Sequence, residues 1–167
     1  MPQFTDIWAV TPETAHPRAR QLLADSIVWD YGDEDSPLGN DTGADTFATY
    51  LAFRSAQPAA PVQQFIHREL ASFEIADADW DLLDAARLQA ALEADNGFSV
   101  LTRDDFILGL AFAQLLVEGT VDVEVKQRAL LALCRQAADV VLSFRGGNGE
   151  DDRKRQLMEF RSDLQTA

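Results

Sequence analysis

Between Trp29 and Asp45 the chain reads WDYGDEDSPLGNDTGAD, with six carboxylates, three glycines and no basic residue. Oxygen-bearing side chains at this density suit three kinds of chemistry. Asp33, Asp35, Asn40, Asp41 and Asp45 are the hard oxygen ligands that Ca2+ or Mg2+ takes, provided that the loop folds back on itself. The spacing departs from an EF-hand, because Ser36-Pro37-Leu38-Gly39 stands where alternating ligands, a turn glycine and a downstream Glu belong. The same stretch also describes a structural elbow built from Pro37, Gly39, Asn40, Asp41, Gly43 and Asp45. Pro37 and Gly39 make the turn, Asn40 or Asp41 accepts from the free N–H groups of the next helix, and Asp45 complements its dipole. Thirdly, Trp29, Asp30, Asp33, Glu34 and Asp35 set an aromatic ring beside more carboxylates than an elbow needs, as at the edge of a protein-binding surface.

Elsewhere the residue types that carry chemistry are sparse. Histidine occurs only at positions 16 and 67, which limits acid–base and metal chemistry at neutral pH. His67 has no helical neighbour at metal-ligand spacing and reads as a boundary or surface residue, while His16, before Pro17, reads as a helix cap or a ring packed on an aromatic. Cys134 lies in a periodic apolar run with no partner cysteine and reads as packing. RGGNGE lacks the Lys-Ser/Thr of a phosphate-binding loop, and no serine lies in a Gly-x-Ser-x-Gly elbow. No catalytic residue is assigned.

The totals point the same way. Asp plus Glu number 28 against 14 Lys plus Arg, a formal charge of −14, so polyanions are repelled and nucleic acid is an unexpected partner. A basic protein or a divalent cation is attracted. With 47% of its 167 residues apolar, the chain has the composition of one folded domain, and its single cysteine excludes an internal disulfide. MPQFTDIWAV has no signal-peptide pattern, and no apolar run is long enough to span a bilayer, so a cytoplasmic protein without a membrane partner is expected. The leading expectation is a non-enzymatic acidic protein-binding module with no cofactor. The alternative is a divalent-cation-binding protein or metal-dependent hydrolase using the loop carboxylates. A third reading has the acidic surface mimic nucleic-acid charge to occupy a basic protein.

The elements that must position these residues are helical throughout. Residues 1–167 are expected to form a single bundle-like all-α domain of about six or seven helices, with an acidic loop over 30–45, a Gly-rich connection over 146–149 and a C-terminal helix over 150–167. Pro17 opens a short helix after one turn begun at Thr11. Phe47, Tyr50, Leu51 and Arg54 recur at helical spacing after the acidic run, and Val62, Phe65, Ile66, Leu70 and Phe73 do so after Pro61. In DADWDLLDAARLQAALEADNG the inward face is predicted as Trp80, Leu83, Ala86, Ala90 and Ala91. Thr102 and Asp105 resemble a capping box that starts the next helix, and Leu130, Leu133, Cys134, Ala137, Val141 and Phe144 predict one long helix after it. These two form the expected core hairpin. Leu157, Phe160 and Leu164 leave a narrow stripe on the last helix, which docks on the body or meets a partner.

HPRARQLLADSIVWDYGDEDSPLGNDTGADTFATYLAFR resembles the His-Pro…Trp-Asp…Ser-Pro-Phe-Gly-Asn-Asp-Gly-x-Asp pattern of the bacterial YfeS/MolR-like proteins, and RDDFILGLAFAQLLVEGTVD looks like their later helical segment. The matching positions are His16, Pro17, Trp29, Asp30, Pro37, Gly39, Asn40, Asp41, Gly43 and Asp45, with Leu38 in place of the aromatic. GNDTGAD is also similar to the Asn-Asp-x-Ala-x-Asp turn of a family of small bacterial helical proteins of unknown function. The resemblance covers a minority of the chain. It implies a bacterial cytosolic protein in which the turn matters structurally, and it implies no reaction.

Overall fold

A computed structural model describes residues 6–146 and 149–167. Among them are eight α-helices, two short 3-10 turns at Ile7–Ala9 and Ile27–Trp29, and no strand. The Gly-rich connection predicted over 146–149 falls partly on residues 147 and 148, outside the described residues.

The helix that the others surround is α5 (Phe98–Glu118), whose residues from Phe106 to Val117 are all buried. A helix that is apolar on every side has to be covered on every side. The helices packed most closely on it are α1 (Pro17–Leu22), α2 (Asp41–Ala56), α4 (Ala85–Ala94) and α6 (Val123–Gln136). Helix α2 presents Phe47, Tyr50 and Leu51 to the core, and α3 (Val62–Ser72) presents Val62, Phe65, Ile66 and Leu70. Tyr50 and Phe65 meet edge to face with ring centroids 5.3 Å apart, and Phe65 and Phe106 stack at 6.1 Å. Helix α8 (Glu150–Thr166) docks on the body through Leu157, Phe160 and Leu164, with the Phe160 ring edge-on to Phe112 at 5.6 Å.

Three details differ from the sequence expectations. Helix α5 starts at Phe98, four residues before the predicted capping box. The left-handed Asn96 and Gly97 turn the chain there, and the Asp95 carboxylate accepts from the Ser99 N–H and hydroxyl. Helix α4 buries Leu88 and Leu92, leaving Leu83, Ala86 and Ala90 exposed, because Trp80 lies in the loop before the helix and cannot set its phase. The long helix divides at Ala138, which is extended, so α7 (Asp139–Arg145) turns away from α6 to pack on α4. That division brings the helix count to eight. It also creates a second, smaller core of Leu82, Leu88, Leu92, Val100 and Val141.

Candidate functional site

The acidic stretch folds as a chain of tight turns ending in α2. Its peptide groups pair at short range: Ser36 N–H donates to the Asp33 carbonyl (2.9 Å) and Gly39 N–H to that of Ser36 (3.1 Å). Asn40 is the N-cap. Its Oδ1 accepts from the Gly43 N–H at 2.8 Å and its Nδ2 donates to the Ser36 carbonyl at 3.1 Å, so one amide ties the turn to the helix. Both glycines of the elbow are demanded by space. A Cβ on Gly39 would stand 2.0 Å from the Asp33 carbonyl oxygen, and one on Gly43 would stand 1.9 Å from that of Pro37. Gly43 is also where α2 crosses α5, since a Cβ on Gly109 would come within 2.9 Å of the Gly43 Cα. Ser36, Pro37 and Leu38 are buried beneath the turn.

Placed on this frame, the carboxylates point in different directions. Asp30 Oδ1 accepts from the Gly32 N–H and Asp33 Oδ1 from the Asp35 N–H, both local turns. Glu34, Asp41 and Asp45 are exposed. Asp35 lies 3.4 Å from Arg153 of α8, which also donates to the Asp35 carbonyl at 2.7 Å. Burial lowers the affinity of that guanidinium for its proton, and Asp35 opposes the effect. Trp29 is half-buried and spends its indole N–H on the Leu23 carbonyl at 2.6 Å. Tyr31 donates to the Val10 carbonyl, and burial pushes its phenol up to about 12. The five residues Asp33, Asp35, Asn40, Asp41 and Asp45 are therefore not gathered around one point. Among the described residues no group of three or more His, Cys, Asp or Glu side chains is placed to hold a metal ion.

Residues 73–84 form a second acidic loop, of which the sequence predicts residues 77–84 as the start of a helix. Its anchors are arginines of the core hairpin. Arg135 and Asp104 are fully buried and joined by three hydrogen bonds, with Arg135 Nε at 3.0 and 3.1 Å from the two carboxylate oxygens and its Nη2 at 2.8 Å from one of them. The remaining arm of Arg135 donates to the carbonyls of Trp80 (3.0 Å) and Leu82 (2.8 Å). Arg103 donates to those of Ala78 and Asp79. The Trp80 ring lies between Arg103 and Arg128, whose guanidinium carbons are 5.3 and 4.5 Å from its centroid. Asp77 joins three groups: the Trp80 indole N–H, Arg128 at 3.1 Å and the exposed His67 at 3.0 Å. Burial pushes the Asp104 carboxyl up to about 6, with Arg135 pulling the other way. The signal for this anchor is present in the sequence: Asp104 sits between Val100 and Ile107 on the buried face of α5, and Arg135 follows Ala132 on the buried face of α6. Opposite charges on facing buried stripes of one hairpin predict a pair.

His16 accepts from the Arg18 N–H at the start of α1, donates its own N–H to the Leu116 carbonyl, and rests its ring on Gly119, so it joins α1 to the end of α5. Cys134 is half-buried. Compared with protein-family models, curated proteins and solved structures, the chain matches none.

Proposed function

We propose that the protein is a non-enzymatic acidic binding module, and that Asp30, Asp33, Glu34 and Asp35, beside Trp29, meet a basic protein partner. The observation that carries this reading is the uneven pairing of charge. Of the six carboxylates between residues 30 and 45, Asp35 alone meets a cation among the described residues. Four of the chain's arginines are spent elsewhere. Arg135 is buried against Asp104, Arg54 bridges Tyr50 and Glu118, Arg128 serves Asp77 and Glu124, and Arg145 pairs with Asp105. Carboxylates held in place by a rigid turn and left without counter-charge attract a cationic surface and steer its approach. No helix among the described residues is long and apolar enough to cross a membrane. A cytoplasmic location and kinship with the YfeS/MolR-like proteins belong to the same proposal, the latter on the residues of the elbow.

The test is a titration with a labelled oligolysine peptide at rising salt, followed by backbone amide NMR. Saturable binding that weakens steeply with salt and shifts the resonances of residues 29–45 supports the module. Shifts spread evenly over the whole surface, or no binding at low salt, overturn it. Thermal unfolding with Ca2+, Mg2+ and Mn2+ runs alongside, and saturable stabilisation by one of them would place the cation-binding reading first.

A further inference from the structure

We propose that the first two turns of α8 are an autoinhibitory latch on the acidic elbow, in which Arg153 takes the place of a partner's cation until a basic partner displaces it. This inference rests on the reading of the protein as a binding module and adds a regulation to that site. Arg153 grips two bodies at once. Its Nη1 donates to the Asp35 carbonyl at 2.7 Å and lies 3.4 Å from the Asp35 carboxylate, while its Nη2 donates to Gln136 Oε1 of α6 at 3.0 Å. Gln136 donates in turn to Asp105 of α5 at 2.8 Å, where Arg145 of α7 also lands at 3.2 Å. Only 14% of the Arg153 side chain is exposed against 54% of the Asp35 side chain, so the carboxylate stays open to a second cation on the side that Arg153 leaves bare. A cleft of about 340 Å³ lined by Glu34, Asp35, Arg145, Glu150 and Arg153 gives access to it.

The rest of this stretch is weakly held. None of residues 150–156 is fully buried, and the apolar anchors of the helix begin at Leu157. No side chain caps the helix start at Gly149. Besides those of Arg153, the one hydrogen bond from this stretch to the body among the described residues joins Lys154 to Asp139, an exposed pair of the kind that contributes little. Gln156 Oε1 is buried with no hydrogen-bond partner among the described residues, a cost of the docked position that release into water removes. A segment with few buried apolar contacts and one charged fastening opens readily, whereas Leu157, Phe160 and Leu164 keep the remainder of α8 in place. A lysine or arginine that takes Asp35 removes that fastening, so binding at the elbow and loosening of residues 150–156 are linked in both directions.

Amide hydrogen exchange and titration with a labelled oligolysine peptide test the latch on the full chain. Arg153→Gln and Arg155→Gln each remove one positive charge from α8, but Arg155 is exposed and pairs within its own helix, with Asp152. Exchange in Arg153→Gln should quicken about tenfold or more at the amides of residues 153–156, the first that are bonded within the helix, and stay slow at 157–166. Arg155→Gln should show no such change. Oligolysine should bind Arg153→Gln about fivefold tighter than Arg155→Gln, and adding it to the parent should quicken exchange at the same amides. Arg153→Lys keeps the charge and loses the two-armed grip, so it should also bind oligolysine tighter than the parent, even where Arg153→Gln fails to fold. Binding at residues 29–45 with exchange at 153–156 unchanged, or equal affinity in the two Gln variants, would overturn the latch and leave the module standing. Failure of oligolysine to bind the parent and every variant would remove the module and the competition with it.

Discussion

Residues 30–40 and residues 73–84 are both acidic loops threaded between helices, yet they are fastened mainly by different means. The first turns mainly on its own backbone, with two glycines packed against carbonyl oxygens, the Asn40 amide as the joint and one outside bond, from Arg153 to the Asp35 carbonyl. The second is pinned from beneath by Arg103 and Arg135, which donate to four of its carbonyls. In the first loop and the start of α2, Glu34, Asp41 and Asp45 meet no counter-charge among the described residues, whereas Asp30 and Asp33 accept from local N–H groups and Asp35 meets Arg153. Where side chains hold the loop, charge is consumed internally. Two loops of similar composition can thus carry different duties, and composition alone does not separate them.

The largest effect should come from the arginine anchor. Arg135→Met leaves Asp104 buried without its partner and should cost about 3–5 kcal/mol in urea unfolding, since breaking a buried pair strands a charge. Adding Asp104→Leu should restore much of that loss. No recovery in the double variant would mean that the carbonyl bonds to loop 73–84 matter more than the pair. Next in size is Gly43→Ala, which forces a methyl group into the Pro37 carbonyl and should cost about 1–3 kcal/mol. A neutral result would show that the elbow relaxes easily and that its glycines are not required by space. Asn40→Ala removes the cap and should lose about 0.5–2 kcal/mol, with amide exchange quickening at Gly43 before it quickens elsewhere.

The smallest effect lies away from both loops. Asp163 is half-buried, and burial together with Glu159 pushes its carboxyl up to about 6. A carboxyl raised in the folded state holds its proton more tightly there than in the unfolded chain. Its contribution therefore declines as pH rises from the ordinary carboxylate range through about 6. Asp163→Asn should stabilise the protein at pH 7 by up to about 1 kcal/mol after solvent screening and leave it unchanged near pH 4. The reverse order would point to a cation already neutralising Asp163 at pH 7.

The all-α architecture was legible because apolar residues at 3–4 spacing coincide with the buried faces of α3 and α6, while α5 is apolar on every side over a length that only a buried helix fills. The start of α4 was not. Trp80 lies one helical step before Leu83, so it mimics the phase of a helix, although Arg103, Arg128 and Arg135 hold it in a loop. Such long-range anchoring leaves no local pattern. The break at Ala138 is equally silent, for alanine is a good helix former and what bends the chain there is packing of α7 on α4. Within the elbow, residue types announced a turn and a cap. The crossing of α2 over α5 at Gly43 and Gly109 needed both helices to be placed first.

The claim that the elbow folds by its backbone and keeps its carboxylates for a partner can be tested in one variant. Asp30→Asn, Asp33→Asn and Glu34→Gln together remove three of the four proposed contact charges, keep the Oδ1 acceptors of the local turns, and leave Asn40, Gly39 and Gly43 unaltered. Oligolysine binding by this protein should weaken about tenfold or more at low salt and lose much of its salt dependence, while its unfolding midpoint stays close to that of the parent. Unchanged binding, with the resonance shifts still at residues 29–45, would contradict the account.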